Sequence, residues 1–444
     1  MNYARESFPY LIAWGPVLVF FVWRYFQRPS TSAGLVPSYL FNMWMYYWIA
    51  AFCHYFAPDE LENNPMLLAG IKECTIALYM FASGVLLFSG PLARTAGWLK
   101  PSAPVKPDLN LPIQYVIAGF CFQGVLGTTI GQIPGLNALT ATGGGLILVG
   151  LSLGAWKAWI LSGRRGVLRW LGLCTLLPLV SVIGMGFLGA GAIALANVML
   201  FVARFFRPRW ILMVGLGVAS YVGISVYIIY TRDKTEIRNV MWSDADLSAR
   251  VDRILLTFET FEWFDPSNPQ HLEHIDARLN QVGLVGAGVI NLENTKTFLG
   301  GETIWDAVIG VIPRAIWRDK PIRAGSSNLA ARLTGLEFDE TTSVGIGPVL
   351  EFYGNFGRWG VVLGFLVIGI SVGMVDRVAA QALDSGDWQR FGLWFLVGGT
   401  LIQVVGSLFE VTSSVIGAIV IGRITNHFLT KRRQRQVKLP VPVA

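Results

Sequence analysis

Apolar runs separated by short polar links fill most of this chain. A helix that crosses a bilayer needs about 20 predominantly apolar residues. Eleven runs meet that pattern, at roughly 8–23, 36–56, 67–91, 112–129, 139–161, 167–184, 187–203, 210–230, 348–375, 391–408 and 411–429. The link Gly184-Met185-Gly186-Phe187-Leu188-Gly189-Ala190-Gly191 reads either as a tight turn or as a broken, re-entrant element. The pattern predicts an all-α polytopic membrane protein with about 11 transmembrane helices.

The links sort by charge. Arg24 and Arg28 fall in one, Arg94, Lys100 and Lys106 in another, then Arg164, Arg165 and Arg169, then Arg204, Arg207 and Arg209. Lys431, Arg432, Arg433, Arg435 and Lys438 form a basic tail. The alternate links are acidic, as at Asp59, Glu60 and Glu62, or uncharged, as at 128–132. Cationic loops stay in the cytoplasm, so the pattern predicts an N-terminus outside and a cytoplasmic C-terminus. The first run, Phe8 to Val22, is followed by Arg24 and Arg28 rather than preceded by a basic region, and so reads as a membrane helix rather than a signal peptide.

One long polar segment interrupts this plan. Between Thr231 and Gly347 lie 12 Lys and Arg and 17 Asp and Glu. The expected organisation is an N-terminal membrane domain over 1–230, a large extracytoplasmic loop domain over 231–347, a C-terminal membrane domain over 348–430 and a cytoplasmic tail over 431–444. Within the loop, Ser243-Asp244 is placed to cap a helix with Leu247, Val251, Ile254, Leu255 and Phe258 on one face. Thr303 with Asp306 resembles a capping box ahead of Ile304, Val308, Val311 and Ile312, a run too short to cross a membrane.

Composition supports the membrane reading. The chain is 53% hydrophobic and only 14% charged, against about 25% charged in soluble domains. The net charge of +7 sits in short links between apolar runs, which is no nucleic-acid signal. Cys53, Cys74, Cys121 and Cys174 all fall in apolar runs without metal-ligand spacing and read as small buried residues. No nucleotide-cradling, Gly-x-Ser-x-Gly or His-Glu-x-x-His motif occurs, and no cofactor or metal is expected.

Candidate chemistry concentrates late in the chain. Arg314, Arg318, Lys320 and Arg323 put four cations into ten residues. Arg314 and Arg318 share a helix face, Pro313 suits a first turn and Pro321 ends it. Guanidinium forks match phosphate oxygens bidentately, so this cluster suits a lipid-linked phosphate, the alternative being a surface helix paired with Asp319 or headgroups. Glu351 lies at the mouth of an apolar run, where a carboxylate is costly unless paired or working. It reads as a general base, or as the partner of Arg358 or a loop arginine. His271 and His274, in a stretch that also holds Arg278, are three apart. Zinc ligation lacks a third ligand, a general-base role for either is the other alternative, and a solvated helix face is the plainer reading. Asp244-Ala245-Asp246 has the Asp-x-Asp spacing of metal-dependent glycosyltransferases, which helix capping also explains. Lys72, Glu73 and Glu410 map to the outer ends of runs and suit a polar cavity or mutual pairing; Arg423 and His427 map to the cytoplasmic end.

The apolar run ending in Ile312-Pro313-Arg314-Ala315-Ile316-Trp317-Arg318-Asp319-Lys320-Pro321, followed by Glu351-Phe352-Tyr353-Gly354-Asn355-Phe356-Gly357, resembles the Wzy-type oligosaccharide repeat-unit polymerases. The likeness covers about 300–376. It implies a GT-C-like enzyme of the bacterial inner membrane that is independent of metal and of nucleotide sugars. Such an enzyme moves a growing glycan from its polyprenyl diphosphate carrier onto an incoming lipid-linked repeat unit. Membrane lipid, a chain-length regulator and a flippase are the further partners implied. On that reading Arg314, Arg318, Lys320 and Arg323 hold the diphosphate and Glu351 activates the acceptor hydroxyl. Tyr353, Asn355, His274 and Arg278 contact substrate. An O-antigen ligase shares the plan, and a transporter or assembly scaffold is the alternative of a different class.

Overall fold

The computed structural model describes residues 3–55, 64–88, 103–123, 137–186, 188–243, 246–310, 312, 317, 326–338 and 344–438. Among them every regular element is a helix. In chain order these are α1 (Tyr3–Gln27), α2 (Leu35–Tyr47), α3 (Ile49–Tyr55), α4 (Pro65–Leu87), α5 (Leu111–Cys121) and α6 (Asn137–Cys174). Then come α7 (Leu177–Met185), α8 (Leu188–Val202), α9 (Arg209–Trp242), α10 (Leu247–Glu259), α11 (Pro269–Leu279) and α12 (Gln281–Thr295). The last are α13 (Glu302–Gly310), α14 (Ser326–Thr334), α15 (Gly347–Asp384), α16 (Trp388–Leu401) and α17 (Leu408–Lys438).

Six stretches are long and apolar enough to cross a membrane: Arg5–Gln27, Pro65–Leu87, Thr142–Ile183, Arg209–Met241, Gly347–Asp384 and Leu408–Lys431. The other expected crossings are shorter, merged or broken, and the reasons are local. Trp48 interrupts the run that becomes α2 and α3. The runs at 139–161 and 167–184 fall in one merged stretch that doubles back at Gly163, whose φ of 58° suits glycine. Across that bend the Trp170 indole donates to Leu151 O at 2.9 Å, although a straight helix would part them by about 28 Å. Gly186, left-handed at φ 74°, ends α7, so the glycine-rich link is a tight turn. The run at 112–129 begins with α5, and its remainder extends beyond the described residues.

The run at 391–408 stops being helical after Leu401. Its irregular backbone is caught by protein donors: Asn42 Nδ2 donates to Ile402 O (3.1 Å), Tyr47 OH to Val404 O (2.7 Å) and Gly347 N to Val405 O (3.0 Å). Irregular backbone at membrane depth persists only where its polar groups are satisfied within the protein.

Glycine sets how closely the central helices approach. Near one end of α4, a Cβ on Gly70 would strike the Val282 carbonyl of α12, and one on Gly286 the Met66 carbonyl of α4. Toward the other end, Gly84 meets Leu366 O of α15 and Gly369 meets Phe81 O of α4. Two reciprocal small-residue crossings thus bind α4 to both neighbours by backbone contact. Gly286→Val is expected to cost roughly 1–3 kcal/mol through overpacking, read as a lowered thermal midpoint of the detergent-solubilised protein; an unchanged midpoint would mean that the α4–α12 contact can relax. Val282, Val285, Val289 and Leu292 of α12 and Leu333 of α14 belong to the same buried core as α4 and α15. The polar segment therefore sends apolar residues into the bundle core.

Outward-facing stripes complete the picture. Trp359, Leu363 and Val367 of α15 are 73%, 60% and 60% exposed on one helix face, and Ile113, Ile117 and Phe120 repeat the pattern on α5. Soluble monomers rarely present such contiguous apolar faces to water. The chain is a helical protein suited to a membrane environment. Of the four cysteines, Cys121 departs from expectation: it is exposed on α5, whereas Cys53, Cys74 and Cys174 are buried.

Candidate functional site

The site grows from a break in α15. Helix 347–355 ends where Phe356 (φ −137°) and Gly357 (φ 60°, ψ −150°) leave helical geometry, and a second arm, 358–384, begins at Arg358. Only glycine takes the left-handed step at 357 without strain. The arms double back: Phe352 and Phe365 rings lie 6.1 Å apart, where a straight helix would separate those residues by about 20 Å. The short arm is thereby held against α13 and the start of α17.

Glu351 and Asn355 are four apart and share the inner face of that arm. Each is 1% exposed. Leu408 N donates to Glu351 Oε2 at 2.7 Å. Leu408 opens α17, so the carboxylate meets an otherwise orphaned N–H at the positive end of a long helix. That end is built by a reciprocal cap: Ser407 N donates to Glu410 Oε2 (2.9 Å) and Glu410 N to Ser407 Oγ (3.3 Å). The Thr303 hydroxyl also bonds the Glu351 carboxylate and accepts from Asn355 Nδ2 at 2.7 Å.

Asn355 uses its whole carboxamide. Besides Thr303, Nδ2 donates to Glu351 O (2.7 Å), and Oδ1 accepts from Gly301 N (3.0 Å). Leu299 N to Gly354 O (2.9 Å) and Gly300 N to Asn355 O (3.2 Å) extend the clamp. It fixes the start of α13 and hence Thr303. Thr412 Oγ1 donates to Ala307 O at 3.1 Å, tying α13 to α17. Thr303 thus serves Asn355 and Glu351 instead of capping, because α13 already begins at Glu302 after the left-handed Gly300 and Gly301.

The charge around Glu351 is negative. Glu410 and Asp306 are its charged neighbours. Among the described residues no cation pairs with Glu351 or Glu410. Arg358 is taken elsewhere: it binds Glu73 Oε1 through Nε (3.0 Å) and Nη2 (2.6 Å). Tyr353, on the other side of the short arm, donates to Glu293 Oε1 at 2.9 Å. Glu73, Arg358, Tyr353 and Glu293 form a second polar cluster beside the break, with Phe298 6.3 Å from the Tyr353 ring. Lys72 lies over the Tyr10 ring at 5.7 Å rather than pairing with Glu73.

Arg314, Arg318, Lys320 and Arg323 lie outside the described residues. Their flanks are described. Gly310 at the end of α13 packs on Phe409 and Ser413 of α17. On the far side α14 carries Arg332, whose guanidinium grips Glu302 of α13 with two 3.1 Å bonds. Both ends of the arginine segment are therefore anchored on α13, the helix that holds Thr303.

The histidine stretch sits apart, on α11, which packs with α3 in its own small core. His271 is structural: its Nδ1 accepts from Asp265 N (3.1 Å) and its Nε2 faces Glu262 (3.4 Å). Burial lowers the His274 pKa, with His271, Lys234 and Arg232 adding to the effect against Glu273. The Arg278 side chain is outside the described residues. Asp246, rather than Ser243-Asp244, caps α10 by accepting from Ala249 N at 3.0 Å; Asp244 itself is not described. Arg423 and His427 are exposed near the far end of α17. Among the described residues no group of three or more His, Cys, Asp or Glu is arranged to hold a metal.

Sequence reasoning passed over three contributors: Thr303 as a partner of the carboxylate, Glu293 as the partner of Tyr353, and the Leu408 N–H. Only the first carried a signal, and it was read as a capping box with Asp306 rather than as a partner of Glu351. No protein-family model, curated protein or solved structure matches the chain.

Proposed function

We propose that this protein is a polytopic membrane glycosyltransferase that joins polyprenyl-diphosphate-linked oligosaccharide repeat units into a surface polysaccharide, working at the outer face of a bacterial inner membrane. The observation that carries the reading is the buried Glu351 carboxylate. It has no described counter-ion and is held by one backbone N–H and one hydroxyl. It also stands against the helix that leads into the arginine segment. A carboxylate kept in that state is costly and suits proton transfer.

The proposed reaction uses these groups as follows. Glu351 takes the proton from the acceptor sugar hydroxyl. The freed oxygen attacks the anomeric carbon of the donor glycan, and the bond between that carbon and the diphosphate oxygen breaks. The electron pair leaves with the diphosphate, whose charge Arg314, Arg318, Lys320 and Arg323 stabilise. Thr303 and Asn355 are positioning residues: they orient the carboxylate and hold α13 in place. The near-complete burial of Glu351 keeps out water that would otherwise hydrolyse the donor. Tyr353 and Glu293, with Arg358 beside them, are the groups proposed to meet sugar hydroxyls. The eleven-crossing topology, with the N-terminus outside and the segment 231–347 extracytoplasmic, completes this reading.

Deleting the gene and separating surface and lipid-linked glycans on a gel tests it. Single repeat units in place of long polymer are expected. Long polymer stranded on the carrier would instead indicate a ligase, and unchanged long surface polymer would end the polymerase reading.

A further inference from the structure

A second charged feature lies far from Glu351. Arg377 is 19 residues beyond Arg358 on the same straight arm of α15, about 29 Å along its axis. Next to it, the buried Asp376 binds the connection between α1 and α2. Its Oδ1 accepts from Ala33 N (2.7 Å) and Leu35 N (3.0 Å), and its Oδ2 from Ser32 Oγ (2.5 Å) and Val36 N (3.4 Å). Asp376 therefore caps α2 from another helix and pins the turn after α1 to α15.

That tie brings three arginines together. Arg24 lies in the last turn of α1 and Arg28 just beyond it, with Arg28 N donating to Arg24 O at 3.0 Å. Arg28 and Arg377 are the charged neighbours of Arg24. Other arginines at this end are occupied. Arg204 grips both oxygens of Asp384 at 2.6 Å, Arg209 lies over Phe26 at 4.9 Å and Arg164 over Phe206 at 5.5 Å. Among the described residues Arg24, Arg28 and Arg377 have no carboxylate partner, and Arg24 and Arg377 are half-buried.

Three neighbouring cations, two of them half-buried and Arg28 exposed, repel one another unless an anion joins them. The surface leading to them is apolar and aromatic. Phe20 lies one turn before Arg24 on the same face of α1, with its ring 6.2 Å from that of Trp23, and Trp23 is 57% exposed. Tryptophan at such a position marks a membrane–water boundary.

We infer that Arg24, Arg28 and Arg377 form a binding site for the phosphate of an anionic membrane lipid, whose acyl chains lie along Phe20 and Trp23. The Asp376 tie holds the turn that follows Arg28 against α15, the helix that carries Arg377. The site is independent of the glycosyltransferase reading.

Native mass spectrometry of the full-length protein, released from detergent with added phosphatidylglycerol, tests this. The wild type is expected to retain phosphatidylglycerol. The Arg24→Gln/Arg28→Gln/Arg377→Gln variant is expected to lose affinity by about fivefold per arginine, about a hundredfold in all. An Arg165→Gln/Arg207→Gln control is expected to bind as the wild type does. Two competitions on the wild type need no variant: neither phosphatidylethanolamine nor millimolar inorganic phosphate should displace the bound lipid. Equal retention by the triple variant, or equal binding of phosphatidylethanolamine, would overturn the site. Displacement by inorganic phosphate would reassign it to a free anion.

Discussion

Glu351→Gln is expected to give a folded, membrane-inserted protein that makes no long polymer, with the rate reduced by roughly 10²–10⁴. Glutamine has nearly the shape of glutamate, and its carbonyl can still accept from Leu408 N–H, which donates to Glu351 Oε2 at 2.7 Å. The cap on α17 therefore survives, and only the charge and the proton acceptor are lost. Glu351→Ala differs: it leaves the Leu408 N–H buried without a partner, at about 1–3 kcal/mol, and opens a cavity. The pair separates the two roles of the residue. Each variant would be expressed in the deletion strain, its thermal midpoint measured after purification, and its glycans separated on a gel. Normal polymer from Glu351→Gln alongside a lowered midpoint in Glu351→Ala would make Glu351 a structural cap and remove it from the chemistry.

The short arm of α15 shows what could be read along the chain. The run over 348–375 read as one crossing with Glu351 at its mouth. The break at Phe356–Gly357 went unread, and it sets Glu351 and Asn355 on the inner face of a short arm. Their partners were not legible, because they come from distant segments. Thr303 arrives from 52 residues away and Leu408 from 57, and a backbone N–H has no identity in a sequence. Arg358 looked like the natural counter-ion of Glu351. The turn at Phe356–Gly357 aims it at Glu73 on α4 instead, 285 residues away. Asn355, expected to touch sugar, has its carboxamide fully used within the protein.

The apolar runs were legible as helices, and those that became six long apolar stretches were legible as candidate crossings, but the shorter and broken ones were not told apart from them. Hydropathy reports whether a segment tolerates an apolar environment, and both lipid and the interior of a helical bundle supply one. Thus α16 and the irregular residues after it read as a single crossing, yet Asn42 and Tyr47 satisfy that backbone from within the protein. The converse holds for α12. It lies in the polar segment, and its glycines admit it to the core against α4.

Charge reversal in the arginine segment is the other large effect expected. Arg314→Glu with Arg318→Glu should abolish long polymer and leave single repeat units on the lipid carrier. Losing one preorganised charge at a leaving group costs roughly 10²–10³ in rate, and reversal adds repulsion. The surroundings sharpen the expectation. Glu351, Glu410 and Asp306 already gather negative charge beside α13, so a diphosphate could approach them only with cations alongside. Arg314→Lys with Arg318→Lys keeps the charge but loses bidentate geometry, and should give intermediate polymer yield. That graded series separates electrostatic clamping of a diphosphate from mere support of the fold. A support role predicts that reversal lowers the thermal midpoint together with the yield, whereas clamping predicts lost polymer at an unchanged midpoint. Wild-type polymer length and yield from the reversed variant would take the diphosphate, and with it the proposed leaving-group role, away from this segment.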